Sequence, residues 1–223
     1  NFAPTFKSQQ NLLDEGVNKS SIHVTGNTVI DAVRIMSEKQ VKGNLSFGVK
    51  DTENFILVSC HRRENFGDGL IEICKSIARL ASSDPNLKFV FPVHPNPNIK
   101  QNVHKYLSAY PNVILTEPMP YNEFIRAMTD CRFILTDSGG IQEEAPYLKK
   151  PVLLMRERTE RPEAIEAGTV MLVGSKEKFI VQSIRRLLDD KILEQSMIKA
   201  SNPFGDGFSS EKITPVLYEY LKA

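Results

Sequence analysis

The chain has 223 residues, 28 basic against 27 acidic side chains, and a formal net charge of +1. That length suits one large domain, or one domain with appendages, and the charge balance gives no case for a nucleic-acid or anionic-membrane partner. Cys60, Cys74 and Cys131 are scattered, odd in number and free of any CxxC pair, which argues against a zinc site and favours a reducing cytoplasm.

Taken in order, residues 5–15 read as a helix closed by Gly16 as a C′ glycine. A brief extended piece at 22–26 follows. Asn27 and Thr28 then cap a helix with Val29, Ile30, Val33 and Met36 on one face. Residues 42–54 are polar and glycine-bearing and read as a linker. From Phe55, short apolar runs at 55–60, 87–93, 112–116, 132–136, 151–155 and 169–173 read as strands. Helices near 68–81, 98–109, 121–129, 140–147, 162–167 and 176–188 fill the gaps. In the helix at 68–81 the apolar stripe is Leu70, Ile71, Cys74, Ile77, Ala78 and Ala81. A glycine-rich loop at 202–208 leads into a last helix ending near Leu221. Strict alternation with uniformly apolar strands predicts an α/β fold, a doubly wound, Rossmann-like parallel sheet covered on both faces. No apolar run approaches membrane-spanning length, and no signal peptide opens the chain.

Open α/β sheets bind ligands beyond the carboxyl ends of their strands. Here those ends lead into His61-Arg62-Arg63-Glu64-Asn65, His94-Pro95-Asn96-Pro97, Glu117-Pro118, Asp137-Ser138-Gly139-Gly140 and a loop from Arg156 to Pro162. Loops collect polar residues by default, but two His, several Arg and a Ser-Gly-Gly turn on one edge exceed that default. Ser138, Gly139 and Gly140 join a strand to a helix start, where bare amides and the helix dipole suit phosphate, and glycine admits a close approach. Glu143 and Glu144 follow at once, and carboxylates beside a diphosphate have ribose hydroxyls as their natural target. The competing reading is a βα turn whose glutamates only complement the dipole.

Other signals stay open at this level. His61 suits either proton carriage or phosphate donation, Arg62 and Arg63 either a ligand or solvent, and His94 either a loop cap or a ligand contact. Arg161, in a loop too unusual to be only a connector, suits a two-point diphosphate contact. Phe124 opens an amphipathic helix and reads as core before it reads as a base-stacking platform. His23 and His104 read as structural or surface residues. Gly-x-Gly-x-x-Gly, Walker and Gly-x-Ser-x-Gly patterns are missing from the sequence, so NAD enzymes, P-loop NTPases and serine hydrolases fall away.

The run from Thr136 to Pro151, with Met155-Arg156 and Thr159-Glu160-Arg161-Pro162-Glu163, resembles the signature of UDP-N-acetylglucosamine 2-epimerases. So do Val24-Thr25-Gly26-Asn27-Thr28-Val29-Ile30-Asp31-Ala32, His61-Arg62-Arg63-Glu64-Asn65 and Asn202-Pro203-Phe204-Gly205-Asp206-Gly207. The His-Arg-Arg-Glu-Asn form is similar to the non-hydrolysing enzymes. The resemblance implies the C-terminal half of a glycosyltransferase-B-like fold, with the active site in an interdomain cleft. It implies interconversion of UDP-N-acetylglucosamine and UDP-N-acetylmannosamine by loss of the C2 proton, elimination of UDP and its re-addition, with no metal or redox cofactor. By motif, Ser138, Gly139 and Gly140 donate to the diphosphate, Glu144 holds the ribose hydroxyls and Arg161 adds charge. His61 assists departing UDP or relays a proton, and Phe124 lies on uracil. Arg62, Glu64 and His94 contact a second, activating substrate molecule in some members.

On this reading residues 1–42 end an N-terminal domain, 43–200 bind UDP, and 201–223 pack back towards the N-terminal domain. The family's N-terminal domain, with the carboxylates that handle the C2 proton, has no counterpart ahead of Asn1, so this chain alone is expected to bind UDP weakly and not to epimerise. The expected partners are UDP and UDP-N-acetylglucosamine, with a homodimer for the full-length enzyme and a monomer for this chain. A hydrolysing 2-epimerase, a glycosyltransferase half and a non-catalytic nucleotide-sugar module remain as alternatives.

Overall fold

The computed structural model of the protein describes residues 1–39 and 55–222, so the linker read at 42–54 lies outside the described residues. The first element is a two-residue strand, β1 (Phe2–Ala3), paired in parallel with β2 (His23–Val24). Between them α1 (Phe6–Asp14) is capped by the Thr5 hydroxyl and closed by Gly16, whose φ of 84° is the left-handed conformation expected of a C′ glycine. α2 (Thr28–Glu38) follows, capped by Asn27 Oδ1.

Among the described residues the main sheet has six strands, all parallel. They are β3 (Phe55–Ser59), β4 (Lys88–Pro92), β5 (Val113–Thr116), β6 (Phe133–Thr136), β7 (Val152–Leu154) and β8 (Val170–Leu172). Their spatial order is β5-β4-β3-β6-β7-β8. The chain therefore winds outward from β3 one way and from β6 the other, which makes the sheet doubly wound as the alternation predicts.

Strand residues alternate between two apolar layers, because successive side chains leave opposite faces. Ile56 and Val58 enter one layer, with Leu70, Ile73, Cys74 and Ile77 of α3 (Asp68–Ser83) and Ile99 and Val103 of α4 (Pro97–Leu107). Ile180 and Ile184 of α8 (Glu177–Asp189) complete it. Phe55 and Leu57 enter the other layer, with Ile30 and Val33 of α2, Ile125 and Met128 of α5 (Tyr121–Asp130) and Ala145 of α6 (Ile141–Tyr147). Ala164 of α7 (Pro162–Glu166) lies there too. The stripe on α3 is offset from the sequence reading: Ile73 and Leu80 are buried, while Ile71 is only half-buried.

One helix escaped the sequence reading. α9 (Lys191–Lys199) begins at Asp190, whose carboxylate accepts from the Ile192 and Leu193 amides. It is docked by buried Glu194, which pairs with Arg132 at 2.6 Å. α10 (Ser209–Lys222) ends the chain. The carboxylate of Asp31, on α2, accepts from the Ser209 and Ser210 amides at 2.8 and 2.7 Å and so caps it. Gly26 makes that junction possible: a Cβ there would lie 2.7 Å from Ser209 Oγ and 3.1 Å from Gly205 Cα. No helix among the described residues is long and apolar enough to cross a membrane.

Candidate functional site

β3 and β6 lie side by side, but the chain leaves β3 towards β4 and β6 towards β7, so the loops above them diverge and open a crevice. The loop after β3 carries Cys60, His61, Arg62, Glu64 and Asn65. The loop after β6 carries Asp137, Ser138, Gly139 and Gly140.

Asp137 ties the two loops together. Its carboxylate is fully buried and accepts from the backbone amides of His61 and Arg62, at 3.1 and 2.9 Å, and from Asn65 Nδ2 at 2.9 Å. A buried carboxylate needs donors in place of water, and the loop supplies them. The His61 Nδ1 atom sits 3.5 Å from the same carboxylate, and its ring is 41% exposed on the crevice side of the loop. The Cys60 thiol also donates to Asp137, at 3.3 Å. Burial and that carboxylate push the thiol well above its ordinary range, so it is inert rather than nucleophilic.

At the turn itself, the Ser138 amide donates to Thr136 Oγ1 at 3.0 Å, which leaves Ser138 its hydroxyl for any ligand. The amides of Gly139, Gly140 and Ile141 have no hydrogen-bond partner among the described residues. Two guanidiniums hang over Gly139. A Cβ at that position would lie 2.9 Å from Arg161 Nη1 and 2.9 Å from Arg62 Nη2, so a side chain there would push the guanidinium tips aside. The Arg62 Nε atom is buried without a partner among the described residues. A cleft floor of bare amides under two cations is an anion site by composition.

The two glutamates of α6 separate in role. Glu143 is engaged by Arg161 Nε and by Asn27 Nδ2, which takes it out of contention as a hydroxyl acceptor. That pair occupies Arg161 Nε and leaves the Nη1 end over Gly139. Glu144 is 8% exposed and accepts from the Tyr121 hydroxyl at 2.9 Å, while its Oε2 atom faces Gly140. Burial raises its pKa above the ordinary value, the Glu143 charge adds to the rise, and the Tyr121 hydrogen bond opposes it.

The remaining candidates scatter. His61, His94 and Phe124 line one hollow of about 200 Å³ with Pro92, Pro95 and Met119. The His94 Nδ1 atom accepts from the Asn96 amide at 3.2 Å, which is a loop-capping contact. Phe124 packs partly against the core layer beneath. Glu64 lies instead beside Arg156, at 2.6 Å, and lines a second hollow with Asn65, Glu157 and Arg158. Arg62, Glu64 and His94 are thus not gathered into one hollow. His23 tilts against the Phe2 ring, and His104 is exposed on α4. A larger hollow, about 580 Å³, lies between the N-terminal segment and the 201–206 loop; signature residues Thr25, Gly26, Asn202 and Gly205 line it, but none of the expected ligand contacts does.

Three contributors carried no role in the sequence reading: Asp137, Tyr121 and Arg156. Asp137 stood inside the motif, and an acid directly after a buried strand is itself a signal. Tyr121 and Arg156 show their function only through contacts across 23 and 92 residues.

Residues 1–218 match the family model described as UDP-N-acetylglucosamine 2-epimerase. The chain is 48% identical over 228 residues to a UDP-N-acetylglucosamine 2-epimerase of Campylobacter jejuni, an alignment covering 97% of this chain and 59% of that protein. Among solved structures it is similar to a Neisseria meningitidis UDP-GlcNAc 2-epimerase bound to UDP-GlcNAc, with 42% identity and a TM-score of 0.90 over 98% of this chain and 61% of that one. It is also similar to an S. aureus MnaA–UDP co-structure, with 42% identity and a TM-score of 0.93 over 99% and 60%. The chain spans about three fifths of the length of the relatives it matches.

Proposed function

The chain belongs to the UDP-N-acetylglucosamine 2-epimerase family, and we propose that it forms the part of such an enzyme that holds UDP while UDP-N-acetylglucosamine and UDP-N-acetylmannosamine interconvert. The observation that carries this reading is the convergence of Arg62 and Arg161 over the bare amides of Gly139 and Gly140, next to a buried carboxylate. A diphosphate occupies the cationic end, where charged hydrogen bonds are strongest. The free oxygen of Glu144 accepts from the ribose hydroxyls, with Tyr121 holding the other oxygen in place. Phe124 offers its face to uracil in the hollow it shares with His61.

In this reading the chemistry is loss of the C2 proton with departure of UDP, followed by return of UDP to the sugar. His61, held by its amide and ring against Asp137, stands where charge develops on the departing diphosphate. The carboxylates that handle the C2 proton belong to a separate sugar-handling domain, to which residues 1–42 and 201–223 connect the UDP-binding body at 43–200. Arg62, Glu64 and His94 reach a second substrate molecule only if their loops move together. The complete enzyme is cytoplasmic and works as a homodimer.

Calorimetric titration with UDP and with UDP-N-acetylglucosamine tests the reading. The native chain is expected to bind both saturably, and Glu144→Ala to weaken both by about tenfold or more, the order expected on losing a charged hydrogen bond. Undiminished binding by the variant would remove Glu144 from the site.

A further inference from the structure

Arg156 is a buried cation that lines the hollow of Glu64 and stands away from the turn at Gly139. Its side chain is 7% exposed, and each of its three nitrogens donates to a carboxylate. Nε donates to Glu64 at 2.6 Å, and Nη1 and Nη2 donate as a fork to Glu160 at 2.7 and 2.9 Å. Glu64 is two residues beyond Arg62, and Glu160 directly precedes Arg161. The clamp therefore joins the two loops whose guanidiniums meet over Gly139. Glu160 also stands 4.0 Å from Arg161 Nη1, and the fork from Arg156 holds its carboxyl down to about 2.

We propose that Arg156 is a positioning residue for the anion site: by bridging Glu64 and Glu160 it sets the distance between Arg62 and Arg161. This rests on the UDP-holding reading above. The physical reason is geometric. Two cations drawn to one turn repel each other, and the Glu143 carboxylate that pairs with Arg161 offsets only part of that repulsion. A planar fork with fixed donor directions can hold two loops in register, whereas a single ammonium on a flexible stem cannot bridge both carboxylates in that geometry.

The test uses the sign of a charge effect. Arg156→Lys keeps the positive charge but loses the fork. Glu160→Gln removes a negative charge beside two phosphate-binding cations, so electrostatics alone would tighten UDP binding. The clamp makes the opposite demand: both variants should weaken UDP, measured by calorimetry, by about tenfold, as expected when charged hydrogen bonds are lost. An ion pair that only stabilised the fold would lower the unfolding temperature and leave the affinity of the folded protein unchanged. Glu160 is 61% exposed on its side chain, so Glu160→Gln is expected to fold, and it decides the matter if circular dichroism shows Arg156→Lys unfolded. Tighter binding by Glu160→Gln, or a folded Arg156→Lys with native affinity, overturns the clamp while leaving UDP binding intact. A native chain that binds neither UDP nor inorganic pyrophosphate overturns both this inference and the functional reading beneath it.

Discussion

Burial and the neighbouring Glu143 hold the Glu144 carboxyl above its ordinary range, despite the Tyr121 hydroxyl. The folded state therefore keeps a proton on Glu144 at pH values where the unfolded chain has released it. Across that window, above the ordinary value of 4.5, stability falls as pH rises. Glu144→Gln removes the ionisation and keeps an acceptor for Tyr121. It is expected to raise stability near neutral pH by about 1 kcal/mol, the scale at which functional sites are commonly relieved, and to flatten this part of the pH dependence. Paired denaturant titrations at pH 5 and 7.5 check this. A variant less stable at both values would mean that the carboxylate is a net structural asset.

At the scale of elements, much was legible and the failures have identifiable causes. The six main strands were readable because a parallel sheet buries both faces, so each strand is a short apolar run bounded by polar loops. α9 was missed because it follows α8 with no glycine or proline between them, and its single cap, Asp190, looks like one more charge among many. The grouping of site loops was legible from strand ends, but which strands are neighbours was not, and that neighbour relation brings Asp137 to His61 and Asn65. The cap of α10 was equally hidden, since Asp31 lies 178 residues before Ser209. Burial pushes the Asp31 carboxyl up, but hydrogen bonds from Ser210 and Ser209 outweigh it, and the net shift is downward. Its contribution is present above the ordinary value of 3.8 and fades as pH falls below it. Asp31→Ala should cost about 1–2 kcal/mol, as lost N-caps do. At roughly 2–4 °C per kcal/mol for a chain of this size, thermal unfolding followed by circular dichroism would show it. An unchanged midpoint would mean that α10 is held by its side-chain contacts instead.

The whole molecule is two apolar layers sharing one sheet, with both chain ends folded back on it. Thr5 donates to Glu163 at 2.7 Å across 158 residues, and Asp31 reaches Ser209 across 178. Both ties lie on the α2 and α7 side, while the two layers share the strands themselves, so unfolding followed by far-ultraviolet circular dichroism and by tyrosine fluorescence should give coincident transitions. Two separated transitions would show that the layers unfold independently. The placement of Asp137 also has a consequence for the order in which the molecule forms. The carboxylate and the loop it organises are 72 to 77 residues apart, with two complete strand–helix units between them. Closing that interval costs chain entropy before the contact repays it, and non-local strand pairing is the slow part of folding. The crevice between β3 and β6 therefore comes into being after its helices, and a refolding chain regains its circular dichroism before the two loops close on Asp137.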